Sequence, residues 1–154
     1  MEYTHLTEAL EVIGAEMRDK YKEKLKANGV YATGKLYNSV GYKLTVTEGL
    51  IDLKFEAEDY WIQIEEGKKP NGKMPPINEI KRWMVSRGIP AKPGVAFLIS
   101  RSIAKNGTKP KPFLRETRAE LESLVPSIKL ALEKDLKKFT DERIKNKVKE
   151  QIKN

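Results

Sequence analysis

A chain of 154 residues, with 39% hydrophobic and 34% charged side chains, falls in the usual size range of one folded domain, so wholesale disorder is not expected. It has no cysteine and one histidine, His5, which rules out a disulfide framework, a thiolate metal site and a histidine cluster. The net charge of +8 is unevenly spread: residues 1–65 carry −4, residues 66–118 carry +10, residues 119–126 carry −2 and residues 127–154 carry +4.

No apolar run approaches the roughly 20 residues needed to span a bilayer, and the N-terminus lacks the basic-then-apolar layout of a signal peptide. A cytoplasm-like compartment is expected. The +10 block implies an anionic partner, either nucleic acid or an acidic protein surface, while simple solubility is the bland alternative.

From Thr4 to Ala27, Leu6, Leu10, Ile13, Met17, Tyr21 and Leu25 advance by three or four residues, which predicts an amphipathic helix. Glutamates come early and lysines late, complementing the helix dipole, and Asn28-Gly29 ends the run. A polar connector, Tyr31 to Ser39, leaves room for one helical turn. The period then changes to two. Val40, Tyr42, Leu44 and Val46, followed past Glu48-Gly49 by Ile51, Leu53, Phe55 and Ala57, predict an antiparallel β-hairpin with one buried face. Two strands alone are marginal in water, so that face needs a helix of this chain or strands of another.

The stretch from Tyr60 to Ile89 holds both tryptophans and the sharpest change in charge. Asp59 as N-cap and Gly67 as terminator predict a helix of about two turns around Tyr60, Trp61, Ile62 and Ile64. After a polar loop, Pro75-Pro76 start a second helix, with Ile77, Ile80, Trp83 and Met84 at helical spacing until Gly88. Trp61 and Trp83 are expected in the core or an interface rather than as base-stacking platforms. Ile89 to Gly94 is a Pro/Gly break, and Val95, Leu98, Ile99 and Ile103 predict another short helix. The alternating prolines of Thr108 to Pro112 favour an extended, polyproline-like run anchored by Phe113-Leu114. The last helix carries a stripe of Leu121, Val125, Ile128, Leu132, Leu136 and Phe139, with Pro126 expected to kink or divide it. Its lysine-rich end past Thr140 is expected to project or fray.

The fold class is therefore α+β: an N-terminal amphipathic helix, an antiparallel hairpin, short middle helices and a long C-terminal helix. A single domain over 1–154 is expected, with a helix-plus-hairpin body to residue 67, basic loops and short helices over 68–112, and the C-terminal helix over 113–154.

Catalytic signatures are thin. Asp52 and Lys54 on one strand face resemble half of a magnesium-dependent nuclease site, but no acidic residue lies between Lys24 and Glu48 to supply the other half, so an exposed cross-strand charge pair is expected. His5 has no evident partner, Glu65-Glu66 point in different directions on a helix, and no phosphate-binding loop is present. Neither an enzyme nor any cofactor or metal is expected.

Three pieces together form a recognisable set: Thr33-Gly34-Lys35-Leu36 with Ser39-Val40, Tyr60 through Glu65-Glu66-Gly67, and Gly107-Thr108-Lys109-Pro110-Lys111-Pro112-Phe113-Leu114-Arg115. The set resembles the small head-to-tail joining and tail-completion (minor tail) proteins of tailed bacteriophages, in which a "TGxLxxS" segment leads into a hairpin, a "Y…EfG" segment follows and a "GTxPxPFLRP" run opens the last helix. Glu66 stands where that family tends to have an aromatic, Glu116 replaces the proline, and residues 68–106 make a longer connection. The likeness covers the chain from about residue 30 to residue 118. It implies a virion structural protein in the neck or tail, assembled in the host cytoplasm. Such a protein forms a homo-oligomeric ring that touches portal or connector and tail proteins, with possible nonspecific contact with packaged DNA and none with membrane.

The partner-binding residues expected on this basis are Lys68, Lys69, Lys73, Arg82, Arg87, Lys109, Lys111 and Arg115. The rival reading is a basic nucleic-acid-binding protein of helix-turn-helix type built on IKRWMVSRGIPAKPG, with Lys81, Arg82 and Arg87 on phosphates. A ribosome- or RNA-associated basic protein has only the charge in its favour.

Overall fold

The computed structural model describes residues 3–30, 34–47 and 50–153 and has the α+β architecture expected. In chain order the elements are α1 (Thr4–Ala27), α2 (Lys35–Ser39), β1 (Gly41–Thr47), β2 (Leu50–Glu56), α3 (Trp61–Glu66), α4 (Ile77–Ser86), α5 (Pro93–Asn106) and α6 (Arg118–Lys153). The residues group into two compact units, each assembled from stretches distant in sequence.

The first unit gathers Met1–Met17, Tyr42–Phe55 and Arg118–Asn154. Its share of α1 buries Leu6, Leu10, Ile13 and Met17, all on the expected stripe. Gly14 lies on the same face, and a Cβ built there would run into the ring of Tyr42. The glycine gives up helix propensity so that the hairpin can bring an aromatic ring close against the helix. The Tyr42 hydroxyl also donates to Glu11 at 2.8 Å.

β1 and β2 form a two-stranded sheet, with Tyr42 and Phe55 in ring contact at 6.4 Å. The turn at Glu48-Gly49 lies outside the described residues. The strands form where the period-two pattern predicts them, but their burial does not alternate strictly, since Val46 is exposed and Thr45 and Asp52 are half-buried, and no residue of either strand is fully buried. Asp52 and Lys54 pair within β2 at 4.0 Å rather than across the strands, because residues two apart on a strand share a face.

Of the two outcomes expected at Pro126, division of α6 does not occur, and the buried face also departs from expectation. α6 is one continuous helix with Pro126 inside it, so the proline forfeits one N–H without dividing the helix. Its buried positions are Ala131 and Asp135, whereas Val125, Leu136 and Phe139 of the expected stripe are exposed. The face that packs is turned toward the polar anchor at Asp135, which apolar periodicity cannot register. Ile144, Val148 and Ile152 near its end are exposed.

The second unit gathers Arg18–Gly41 and Glu56–Thr117. Here α1 buries Tyr21 and Leu25, and Tyr21 meets Phe113 edge-on at 6.1 Å and 83°. Burial raises the Tyr21 phenol above its ordinary pKa. The helical turn in the connector is α2, while residues 31–33, and with them Thr33, lie outside the described residues. Leu36 and Val40 are buried, and the Ser39 hydroxyl donates to the Leu36 carbonyl and accepts the Glu58 amide.

Asp59 does not cap α3. Tyr60 holds that position without a side-chain bond, because the chain turns in through the Trp61 amide on the Glu58 carbonyl. Neither tryptophan belongs to the buried core: Trp61 is half-buried and Trp83 is exposed.

α4 and α5 pack through Ile80, Met84 and Ala96, with Ile77, Ala91, Ile99 and Ile103 around them. α5 is longer than expected because Pro93 and Gly94 form its first turn rather than a break, a position where the missing proline N–H costs nothing. Its buried face is Ala96 and Ser100, while Val95 and Leu98 point outward. Close approach of two helices favours small residues, and the Ser100 hydroxyl is satisfied by the Pro75 carbonyl. The hydrophobic stripe is thus half right: Ile99 and Ile103 pack on the cluster, and Val95 and Leu98 do not.

Candidate docking surface

α3 is only six residues long, and its buried residue is an acid. Glu65 Oε2 accepts the Phe113 amide at 2.7 Å and the Leu114 amide at 3.0 Å, and Oε1 accepts the Arg115 amide at 3.0 Å. Both oxygens of one buried carboxylate thus collect three consecutive main-chain donors. Such charge-assisted bonds are roughly twice as strong as neutral ones. Glu66 faces solvent, so the two adjacent glutamates do diverge, as helix geometry requires.

Around this clasp the two segments interlock. The Lys111 amide donates to the Ile64 carbonyl at 2.8 Å, and Thr108 forms an antiparallel bridge with Lys68, the Thr108 hydroxyl taking the Lys68 amide at 2.9 Å. Gly67 and Gly107 face each other's strands with φ of 73° and 72°. A Cβ on Gly67 would strike the Thr108 carbonyl, and one on Gly107 would strike that of Lys68. Only glycine tolerates both the backbone angle and the approach.

Asn28 at the end of α1 donates to the Pro112 carbonyl at 3.0 Å, and Phe113 is buried beneath. Thr117 then closes the turn by donating to the Phe113 and Leu114 carbonyls, so α6 begins at Arg118 rather than at Phe113. Lys109 to Pro112 take no regular secondary structure.

The basic residues take their places from this framework. The antiparallel Lys68–Thr108 bridge sets Lys109 against Gly67 and Lys69 against Gly107, one on either side of the bridge. Lys73 follows Gly72, whose amide, with that of Asn71, caps the last carbonyls of α5 at Ala104 and Lys105. Lys69, Lys73 and Lys109 are exposed. Arg87 turns to Gly29, where the guanidinium donates to the carbonyl, and the ammonium of the exposed Lys111 lies nearby. Both sit at the negative end of the α1 dipole, where cations stabilise a helix. Arg82 stands exposed on α4, and Arg115 on the turn ahead of α6.

In the first unit, His5 has a partner after all. Its Nδ1 lies 2.6 Å from Asp135 Oδ1, and Asp135 also accepts the main-chain amides of His5 at 3.1 Å and Leu6 at 2.8 Å. The carboxylate caps the first turn of α1 from another helix. Beside it an open cleft of about 420 Å³ is lined by His5, Lys134, Lys137, Lys138, Asp141, Glu142 and Lys145. Among the described residues, no group of three or more His, Cys, Asp or Glu is placed to share a metal ion.

Sequence reasoning met Glu65 only as one of two diverging helix acids, not as a buried acceptor, and passed over Asp135 and Gly14. The available signals were an acid beside the helix-ending glycine, an acid within an apolar stripe, and a glycine on the apolar face of a helix. The second unit offers a rigid, doubly glycine-locked basic loop pair. No family model, curated protein or solved structure matches the chain.

Proposed function

We propose that this chain is a virion structural protein of a tailed bacteriophage, a head-to-tail joining or tail-completion component that forms a ring between portal or connector and tail. The observation that carries the reading is the Glu65 clasp. Two of the three segments that carry the resemblance, Tyr60–Gly67 and Gly107–Arg115, are distant in sequence and bind each other through a carboxylate, a bridge and two apposed glycines. Short motifs shared by chance have no reason to form one packing unit. A joining protein needs rigid surfaces rather than a reaction centre, and the clasp holds Lys68, Lys69 and Lys109 on a stiff support.

The nucleic-acid reading is less well served. Phe97 and Leu98, 43% and 61% exposed, occupy the outward side of α5, where a recognition helix would carry hydrogen-bonding side chains. An apolar outer face suits a protein neighbour.

The test is reversal of the exposed lysines that the fold does not use: Lys69→Glu, Lys73→Glu and Lys109→Glu together. The protein is expected to fold normally while head-to-tail joining falls by roughly a hundredfold or more, since juxtaposed like charges cost several kcal/mol. Heads and tails would then accumulate apart. Normal yields of joined particles would remove these lysines from the interface.

A further inference from the structure

The hairpin is left incomplete by its own chain. Among the described residues β1 and β2 have only each other as sheet neighbours, so each strand's outer edge is without a strand partner. Open edges of this kind recruit further strands unless a protein blunts them with proline or charge. β1 (GYKLTVT) has neither device beyond Lys43, and β2 (LIDLKFE) has no proline, its charges being Asp52, Lys54 and Glu56. Cover is thin as well: Val46 is 46% exposed and Leu50 57%, although both come from the apolar half of the pattern or its border.

We propose that β1 of one copy pairs with β2 of the next, so that the hairpins of an assembled ring merge into one continuous intersubunit sheet. The occupant of the open edge is a second copy of this chain, for two reasons. Charge favours it: the outward face of β1 bears Lys43 and no acid, while that of β2 bears Asp52 and Glu56 around Lys54. Opposite charges on neighbouring strands stabilise a sheet and like charges oppose it.

Edge arithmetic decides the orientation. Pairing β1 with β1, or β2 with β2, satisfies one edge and leaves the other open in every copy. Pairing β1 with β2 satisfies both, and such a head-to-tail contact repeats until a ring closes, which abolishes edges altogether. The proposal rests on the ring reading above and specifies which surface builds it.

Because the chain has no cysteine, single thiols report the pairing cleanly. Thr45→Cys on β1 and Lys54→Cys on β2 keep Lys43, Asp52 and Glu56 in place. The two full-length variants, one carrying a mass tag, are mixed and treated with a short thiol–thiol cross-linker, and light scattering on the untreated mixture gives the assembled mass. The expected result is a cross-linked species containing one copy of each variant, with no dimer from either variant alone. Dimers from a single variant would overturn the orientation. An assembled mass without cross-links would overturn strand pairing while leaving a ring built on other surfaces. A monomer at every concentration would overturn the pairing and count against the ring itself.

Discussion

Glu65→Ala is expected to destabilise the protein by about 3–5 kcal/mol, lowering its melting temperature by roughly 10 °C or more. The magnitude follows from what the carboxylate does. It is buried, and it is the acceptor for three main-chain amides at 2.7–3.0 Å. A hydrogen bond to a charged group contributes about 1.5–3 kcal/mol, and a buried donor left without a partner costs about 1–3 kcal/mol. Water entering the gap offsets part of that loss. A total of this size is a large fraction of the roughly 5–15 kcal/mol that keeps a domain folded.

The damage should be local before it is global. Amide hydrogen exchange is expected to speed up at Phe113, Leu114 and Arg115 and along the run back to Thr108, while α4 and α5 keep their protection. Glu65→Gln, which preserves shape but presents an N–H to one of the amides, is expected to fall between wild type and alanine. A loss under about 1 kcal/mol for Glu65→Ala would mean that the run is held by the Lys68–Thr108 bridge, the Lys111–Ile64 and Asn28–Pro112 hydrogen bonds and Phe113 without the carboxylate.

The second large effect is at Asp135, and it depends on pH. Burial opposes ionisation of this carboxyl, yet the Leu6 amide, the His5 ring and the His5 amide together outweigh it and hold its pKa below the ordinary aspartate value. A carboxyl with a depressed pKa in the folded state is protonated more readily in the unfolded chain. Its stabilisation is therefore complete above the unfolded value, near pH 4, and is lost as pH falls through the lower folded value.

Asp135→Asn is expected to cost about 3 kcal/mol at pH 7, because the cap of α1 loses its charge. The gap between wild type and variant should narrow as the pH drops below about 4, where wild type loses the same charge. Denaturant unfolding of both proteins at several pH values gives the difference directly. A gap that stays constant with pH would show that the carboxylate charge contributes nothing to the latch.

Much of the fold could be read from the chain because it rests on local periodicity. The stripe from Leu6 to Leu25 burying one side of α1, the switch to period two at the hairpin, and the proline start of α4 are written in residues a few positions apart. What escaped depends on partners far away. Glu65 acquires its meaning from Phe113, and Asp135 from Leu6, 129 positions earlier. A buried acid looks like any surface acid until its donors are in place.

Part of the packed face of α5 escapes the hydrophobic stripe for a related reason, although Ile99 and Ile103 belong to both. Ala96 and Ser100 are selected by the closeness of α4, and small residues contribute little to a hydrophobic stripe. The eight predicted cations show the same limit. Composition located the basic segment, but only packing separates Arg87, which donates to the Gly29 carbonyl at the end of α1, from Lys69, Lys73 and Lys109, which face outward.

Whether this chain belongs to the joint between head and tail is read most directly by quantitative mass spectrometry of particles purified from lysed host cells, with joined virions separated from free heads and free tails. The joining role predicts the chain at a fixed number of copies in every joined particle and its loss from heads that have acquired no joint. Absence from joined virions, or an amount that follows free DNA instead of particles, would contradict it.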